Sequence, residues 1–393
     1  MMQLLQESEA IEELGTGRVR DHFSNTLFPG TSTLQHHAKY FAILPSLYYE
    51  AAYHGKRYNS VREVEKYIIE AEIQITRQLA EHEGQESMTG ITGINTYKEA
   101  MSDYKKYVKY NPTYIYGSGL ATYGMVPDTS IYQLILEISK TAAENPHNKR
   151  WIKGEDLTED AQNEMSGDKP LILHSEQRYD FFNGTSMPMA MTPVEALFVK
   201  KKILESPNCQ GTLLHFLLDE KNKFVLSDDV TYYDLGIQLS GLDEETRDVY
   251  DKSVLFSKLI HLIDWSFNHA YYTSFGNDEQ AEYCKQAFVE LYEYHKETLE
   301  NSNSYLSLFE YTKGLDLWLT EFCENCYQAV LEQGTACLAK LDSMVASRER
   351  TVKRERSKIG NSAYRSVKRL DPGCNVFRWG TVRTMVNEIR NPQ

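Results

Sequence analysis

The chain has 393 residues, and 56 acidic against 42 basic side chains give it a formal charge of −14 at pH 7. Hydrophobic residues make up 41% and charged residues 25%, which excludes a disordered, collagen-like or coiled-coil protein. The N-terminus turns acidic at once, no apolar run is long enough to span a bilayer, and six cysteines are too few for a disulfide framework. We therefore expect a cytoplasmic protein that does not associate with membranes.

Helical patterns separated by glycine and proline breaks dominate residues 1–143. Apolar and aromatic residues recur at helical spacing over 33–53, where Pro45 is expected to kink or interrupt the helix. Further along, the order Ser60-Val61-Arg62-Glu63 predicts a capping box at the start of a long amphipathic helix. The N-terminal part is therefore predicted to be helical.

The rest of the chain continues this helical character after a polar interval. Thr192-Pro193-Val194-Glu195 predicts a second capping box, with proline at the first position of a helix over 193–205. From Glu244 to Arg356 the pattern is almost wholly helical, and two breaks delimit three long helices. We predict a mainly α, multi-helix protein with a C-terminal antiparallel helical bundle and irregular loops. The expected segments are an N-terminal helical region, a linker or surface loop, a helical bundle and a basic C-terminal segment, over 1–143, 144–192, 193–346 and 347–393.

Charge is distributed unevenly along the chain. Residues 347–393 hold twelve basic and four acidic side chains, a net +8, whereas the remaining residues carry −22. The positive charge of residues 347–393 indicates contact with DNA phosphates or with an acidic partner protein; alternatively, the segment docks on the acidic remainder of the chain. If the segment is helical, its basic side chains lie on more than one face of the helix, which predicts weak, sequence-independent DNA binding. The candidate nucleic-acid contacts are Arg348, Arg350, Lys353, Arg354, Arg356 and Lys358.

A second candidate site lies near the N-terminus, in residues 15–21. There Arg18 and Arg20 stand beside glycine-rich, flexible backbone and could bind a phosphate or a carboxylate. The alternative is an ion pair of either arginine with Asp21 or another carboxylate, which would tie the segment down.

Catalytic signals are weak. No Walker A, GxGxxG, HExxH or GxSxG sequence occurs, which disfavours the commonest nucleotide-binding loops and hydrolases. His261, Asp264 and Asn268 share one face of a predicted helix, where they could hold a general base or form a satisfied polar network between helices. The weak catalytic candidates are therefore Asp21, His261 and Asp264.

Metal ligands are not expected either. Cys323, Cys326 and Cys337 suggest zinc by their spacing, but no second spaced pair accompanies them. We expect these thiols to pack as small apolar side chains, and we expect no metal and no cofactor.

The N-terminal block Leu14-Gly15-x-Gly17-Arg18-x-Arg20-Asp21-x-Phe23-Ser24, continued by Leu27-Phe28-Pro29-Gly30-Thr31-Ser32-Thr33, resembles the opening of an uncharacterised bacterial family of about this length. Gly90-Ile91-x-Gly93 and Phe377-Arg378-Trp379-Gly380 agree with the same family, whereas Lys39 stands where that family usually has arginine. The resemblance implies a component of phage-defence islands, encoded near helicases and phospholipase-D-like nucleases. It implies no catalytic residue.

We therefore expect a non-enzymatic subunit of a bacterial anti-phage complex. Its acidic helical part would bind protein subunits encoded nearby, of helicase or nuclease type, and its basic segment would contact DNA; a homo-oligomer is a further possibility. One alternative is a nuclease or nucleotide-processing enzyme without standard motifs. Another is a sensor of a small molecule or a modified nucleic acid.

Overall fold

A computed structural model describes residues 13–53, 58–83, 89–144, 171–224, 226–227, 229–300, 315–369 and 371–393. Within these ranges the secondary structure is helical and contains no β-strand, which confirms the mainly α class. In chain order the helices are α1 (Gly17–Leu27), α2 (Tyr40–Tyr53), α3 (Val61–Glu83), α4 (Tyr97–Ala100), α5 (Pro112–Thr122), α6 (Ile131–Glu144), α7 (Pro193–Glu205), α8 (Leu213–Leu218), α9 (Leu235–Gln238), α10 (Glu244–Ser274), α11 (Asp278–Glu300), α12 (Leu317–Gln333), α13 (Leu338–Lys353) and α14 (Trp379–Arg390).

The chain folds into two compact units, each assembled from two separate stretches. Unit 1 comprises Met1–Leu27 and Val230–Phe377, and unit 2 comprises Phe28–Asp229 and Arg378–Gln393. The sequence predicts four consecutive segments instead, and residues 145–170 of its expected linker lie outside the described ranges. The basic segment, in particular, is divided between the two units at residue 377.

Unit 1 is organised around α10, which packs along α11, α13 and α1. A link of three residues joins α10 to α11, so the two helices run antiparallel as an αα-hairpin. Phe23 of α1 packs its ring against Phe256 of α10, with the ring centroids 5.7 Å apart. Unit 1 thus has an aromatic and aliphatic core of its own.

Unit 2 packs α2 against α3, α5, α6 and α7. Its core is rich in aromatic rings: Phe41 of α2 lies 5.1 Å from the centroids of both Tyr116 and Tyr123. The hydroxyl group of Tyr123 donates to the carbonyl oxygen of Pro29, and that of Tyr116 donates to the carbonyl oxygen of His37. Tyrosine therefore fills this core while its polar tip ties down the irregular chain that precedes α2.

The two capping boxes predicted from the sequence, at α7 and at α3, agree with the structure to different degrees. At α7 the Glu195 backbone N–H donates to Thr192 Oγ1, and the Glu195 carboxylate accepts from the Thr192 backbone N–H, so the predicted capping box and the predicted 193–205 helix are both confirmed. At α3 the Glu63 carboxylate instead accepts from the backbone N–H of Asn59 at 2.8 Å, one residue earlier than the sequence predicts. Pro45 lies inside α2, and the helix continues through it.

The prediction of a single third long helix before residue 356 is wrong. In its place stand α12 and α13, separated by a 3₁₀ turn over Gly334–Cys337. Gly334 has a φ of 53°, and a Cβ atom there would lie 3.1 Å from the Tyr292 hydroxyl. The break therefore depends on a backbone conformation that glycine adopts readily, beside a packed ring of α11.

No helix within the described ranges is both long enough and apolar enough to cross a membrane.

Candidate functional site

Unit 1 brings two of the predicted arginines, Arg18 and Arg348, to the same pocket. The pocket has a volume of about 350 Å³ and is framed by the start of α1, the start of α12 and the last turns of α13. Its lining residues are Gly15, Arg18, Asp316, Trp318, Leu319, Arg348, Thr351 and Val352. Two residues far apart in sequence thus meet at one surface depression.

Ordinary helix packing positions both arginines. On α1, Val19 and Phe23 are fully buried and mark the inner face of the helix, whereas Arg18, just before them, is exposed to solvent. On α13, Leu341 and Val345 are fully buried and fix the helix against its neighbours. The Arg18 side chain is therefore presented by a helix and not, as the sequence analysis proposed, by a flexible glycine loop.

Arg348 is held in a defined orientation. Its Nε donates to the carbonyl oxygen of Leu14 at 3.0 Å, and its guanidinium carbon lies 5.7 Å from the centroid of the Phe322 ring. Burial lowers the pKa of Arg348, and the nearby Arg18 adds to this effect, while Cys323 and Asp316 oppose it. An arginine so placed still carries its charge at neutral pH, so the pocket holds two neighbouring cations.

The start of α12 supplies the remaining wall of the pocket. Asp316 caps this helix, because its carboxylate accepts from the Trp318 backbone N–H at 3.1 Å. The Trp318 side chain is 70% exposed, whereas Leu319 behind it is buried. A large aromatic face therefore lies open to solvent beside two guanidinium groups.

Several other predicted contacts are ion-paired within the chain. Arg20 donates to the Asp21 carboxylate at 2.9 and 3.1 Å, which is the ion pair that the sequence analysis gave as the alternative. Lys358 lies 2.7 Å from the Glu13 carboxylate, and Lys353 lies 3.7 Å from it. These cations are engaged with neighbours and are less accessible to a phosphate than free ones.

The remaining predicted cations face solvent. Arg350 lies in the last turn of α13, and Arg354 and Arg356 form the 3₁₀ turn that follows. All three are exposed, and none makes an ion pair with a residue that the structure describes. Arg350 lies about 200° around α13 from Arg348, so the basic residues do occupy more than one face of the helix.

Other basic residues near the C-terminus serve the fold. Arg369 is 4% exposed, and its Nε donates to Asn268 Oδ1 at 3.1 Å. In unit 2, Arg378 donates to the carbonyl oxygen of Thr31 at 2.7 Å, and Arg390 donates to that of Leu217 at 2.9 Å. The positive charge of this segment is thus only partly available to a ligand.

The weak catalytic candidates do not form one site. Asp264 faces Arg369 in the interior of unit 1; burial raises the pKa of Asp264 to about 8, and Arg369 opposes the shift. His261, three residues earlier, instead bonds to the carbonyl oxygen of Pro372 through Nε2 at 3.0 Å. Asp21 is the partner of Arg20 on α1.

A cluster that the sequence analysis missed surrounds His261. Its Nδ1 lies 3.0 Å from Cys374 Sγ, and His295 Nε2 lies 4.0 Å from the same sulfur atom. Cys374 is 113 residues from His261 and 79 from His295, so no local motif signals the cluster. By contrast, Cys323 and Cys326 are fully buried, and burial raises the pKa of Cys323 to about 12.

Comparison with known proteins adds one match. Neither a curated protein nor a solved structure matches the chain. Residues 1–153 match the model of a family of unknown function, DUF6361, and this range includes the block of residues 14–33 that carries the resemblance. The N-terminal part of the chain is therefore similar to an uncharacterised family.

Proposed function

We propose that this protein is a non-enzymatic, nucleic-acid-contacting subunit of a bacterial anti-phage complex. The observation that carries the proposal is the pocket in which Arg18, Arg348 and the exposed Trp318 stand together. The pocket is lined by two guanidinium groups and a single carboxylate, that of Asp316, so its positive charge would attract an anion. Phosphate groups are the anions that arginine forks bind best in nucleic acids.

Trp318 adds a second type of contact. Exposed aromatic rings beside cations are the usual platform for unstacked bases, because every base has a face on which an aromatic ring can stack. A duplex end or a single strand offers both groups that the pocket fits, a phosphate and an accessible base. Arg348 is already oriented by Leu14 and Phe322, so little side-chain freedom is lost on binding.

The exposed cations next to α13 supply the sequence-independent part of the affinity. Arg350, Arg354 and Arg356 lie on more than one side of the chain, where they suit phosphates of a flexible or curved backbone. Lys353 and Lys358 are excluded from this set by their ion pairs with Glu13. We therefore expect weak binding that decreases steeply with salt concentration.

The test is a titration of the full-length protein with a fluorescent duplex and a single strand at several salt concentrations. Reversing Arg350, Arg354 and Arg356 to Glu should reduce the log–log salt slope by up to about 3, since each lost phosphate contact accounts for roughly 0.9. The matched control reverses Lys201, Lys221 and Lys223, which are exposed in unit 2 and change the net charge equally. The control should keep most of the wild-type slope.

Docking on the chain's own acidic surface makes a different prediction. In that case the three reversals would lower the Tm, and DNA affinity would be negligible in both proteins. Equal loss of slope in the variant and in the unit 2 control would show that net charge alone, and no defined surface, attracts the nucleic acid. Either result would contradict the proposed interface.

The partner proteins follow from the family resemblance. Subunits of helicase or nuclease type encoded nearby would bring catalytic activity to nucleic acid that this chain holds. Affinity purification from a native host with the neighbouring genes intact tests this part of the proposal. Recovery of the chain alone, as a monomer at micromolar concentration, would contradict it.

A further inference from the structure

We propose that His261, His295 and Cys374 form a zinc-binding site in unit 1. The three side chains offer two imidazole nitrogens and one thiolate. Zinc prefers such nitrogen and sulfur donors, whereas calcium and magnesium prefer oxygen ligands. All three donor atoms lie within 4.8 Å of one another. None of these three residues belongs to the proposed nucleic-acid interface.

The distances fit a metal ion of this size. With Zn–S of about 2.3 Å and Zn–N of about 2.0 Å, tetrahedral geometry separates sulfur from nitrogen by about 3.5 Å. The observed separations from Cys374 Sγ are 3.0 Å to His261 and 4.0 Å to His295, one on each side of that value. A change of about half an ångström in each separation from the sulfur atom would bring both nitrogens to this S–N distance.

His261 is oriented as a metal ligand requires. Its Nε2 faces the carbonyl oxygen of Pro372, which can only accept, so the proton of the neutral ring belongs on Nε2. The lone pair is then on Nδ1, which faces the Cys374 sulfur atom. A backbone carbonyl that fixes the tautomer in this way is the usual outer partner of a histidine ligand.

The position of the cluster suggests what the ion would do. His261 lies on α10, His295 on α11 and Cys374 in the irregular segment before Phe377. The carbonyl oxygen of Asn375 in the same segment accepts from the hydroxyl groups of Ser257 on α10 and of Tyr233, which precedes α9. Zinc would therefore fasten this segment to the α10–α11 hairpin. Cys374 is partly exposed, so a water molecule can complete a four-ligand shell.

The test uses the full-length protein, stripped with a chelator and titrated with Co²⁺ and then Zn²⁺. We expect one Co²⁺ per chain, with a thiolate-to-cobalt charge-transfer band that zinc abolishes. Zinc should also raise the Tm of the stripped protein. Cys374→Ala should lose the band and the thermal shift, and His295→Gln should weaken metal binding at least tenfold.

Matched controls separate this site from other thiols and histidines of unit 1. Cys284→Ala removes a buried thiol of α11, and His269→Gln removes a histidine of α10 that pairs with Asp342; both should bind Co²⁺ like the wild type. If Cys374→Ala does not fold, zinc protection of Cys374 against alkylation in the wild type replaces it, with at least tenfold slower modification expected. No cobalt band, a band that survives Cys374→Ala, or unchanged alkylation with zinc would each overturn the proposal.

Discussion

The Lys39 ammonium lies 2.7 Å from the Glu195 carboxylate, and both side chains are almost fully buried, at 2% and 0% exposure. Lys39 also donates to the carbonyl oxygen of Ala190 at 3.0 Å. The same carboxylate accepts from the Tyr179 hydroxyl and from the Thr192 backbone N–H. One buried glutamate thus both caps α7 and neutralises a lysine that precedes α2.

Breaking this pair from one side should be costly. Lys39→Met leaves the Glu195 carboxylate buried without its cation, and we expect the free energy of unfolding to decrease by about 3–5 kcal/mol. Lys39→Met with Glu195→Gln should recover part of that loss, because no uncompensated charge remains. Thermal and urea denaturation measure both. Lys66→Met at the exposed Lys66–Glu70 pair is the control and should change stability by less than about 0.5 kcal/mol. Equal effects of the two single variants would contradict the prediction.

Glu72 of α3 gives a pH prediction. Its Oε1 accepts from the backbone N–H and the hydroxyl of Thr113 at 2.7 and 2.6 Å. Burial raises the pKa of Glu72 to about 7, and the hydrogen bonds from Thr113 and Asn111 oppose the shift. The folded state therefore binds this proton more tightly than the unfolded state, where the ordinary value is 4.5.

A raised carboxyl pKa means that its contribution to stability is fully present below about pH 4.5 and is lost as pH rises through about 7. Relative to Glu72→Gln, the wild type should lose up to about 3 kcal/mol between pH 5 and pH 8. Urea denaturation at several pH values tests this, with Glu65→Gln, an exposed position of the same helix, as the control. Parallel pH profiles for wild type and Glu72→Gln would contradict the prediction.

Two glycines of α5 give a packing prediction. A Cβ atom at Gly119 would lie 2.4 Å from the carbonyl oxygen of Gly30 and 2.7 Å from the Phe41 ring, whereas one at Gly117 meets Ile131 at an ordinary 3.6 Å. Gly119→Ala should therefore destabilise unit 2 by about 1–3 kcal/mol. Gly117→Ala should instead stabilise it by roughly 0.5–1 kcal/mol, because alanine favours the helix. Thermal denaturation of the two variants should thus show opposite shifts in Tm, and shifts of the same sign would contradict the packing described for α5.

Trp318 tests the stacking part of the proposed interface. Trp318→Ala should weaken single-stranded DNA binding by about 1–3 kcal/mol and leave the Tm almost unchanged, because the side chain is 70% exposed. Tyr132→Ala removes an aromatic ring that is 69% exposed in unit 2 and serves as the control. Fluorescence anisotropy with a short oligonucleotide measures both. Equal affinities for the wild type and Trp318→Ala would show that no base stacks on this ring.

Much of the local structure could be predicted from the sequence. Thr192, Pro193 and Glu195 lie within four residues of one another, and a cap formed within one turn needs no distant partner. The same holds for the mainly helical class, since helical periodicity is a property of neighbouring residues. The Glu63 cap shifted by one residue, because Asn59 and Ser60 are both able to bond the same carboxylate.

The sites required the tertiary structure. The sequence indicates Arg18 and Arg348 separately as candidate cations, but only the packing of α1 and α13 within unit 1 brings both to the pocket that Trp318 lines. Helical spacing groups His261 with Asp264, whereas the fold places His261 beside Cys374 and Asp264 beside Arg369. Residues three apart on a buried helix can face different neighbours, and nothing local indicates which neighbours those are.

By itself, the sequence therefore determined the features that depend on neighbouring residues. These are the helical class, the cap of α7 and the positive net charge of the basic segment. Only the tertiary structure decided which charged side chains form ion pairs within the protein and which remain exposed to solvent. Lys353 and Lys358 meet Glu13 while Arg350 does not, although all three lie in one run of basic residues. The physical reason is that an ion pair depends on distance in space, and the distance between residues hundreds of positions apart is set by how their helices bury apolar faces.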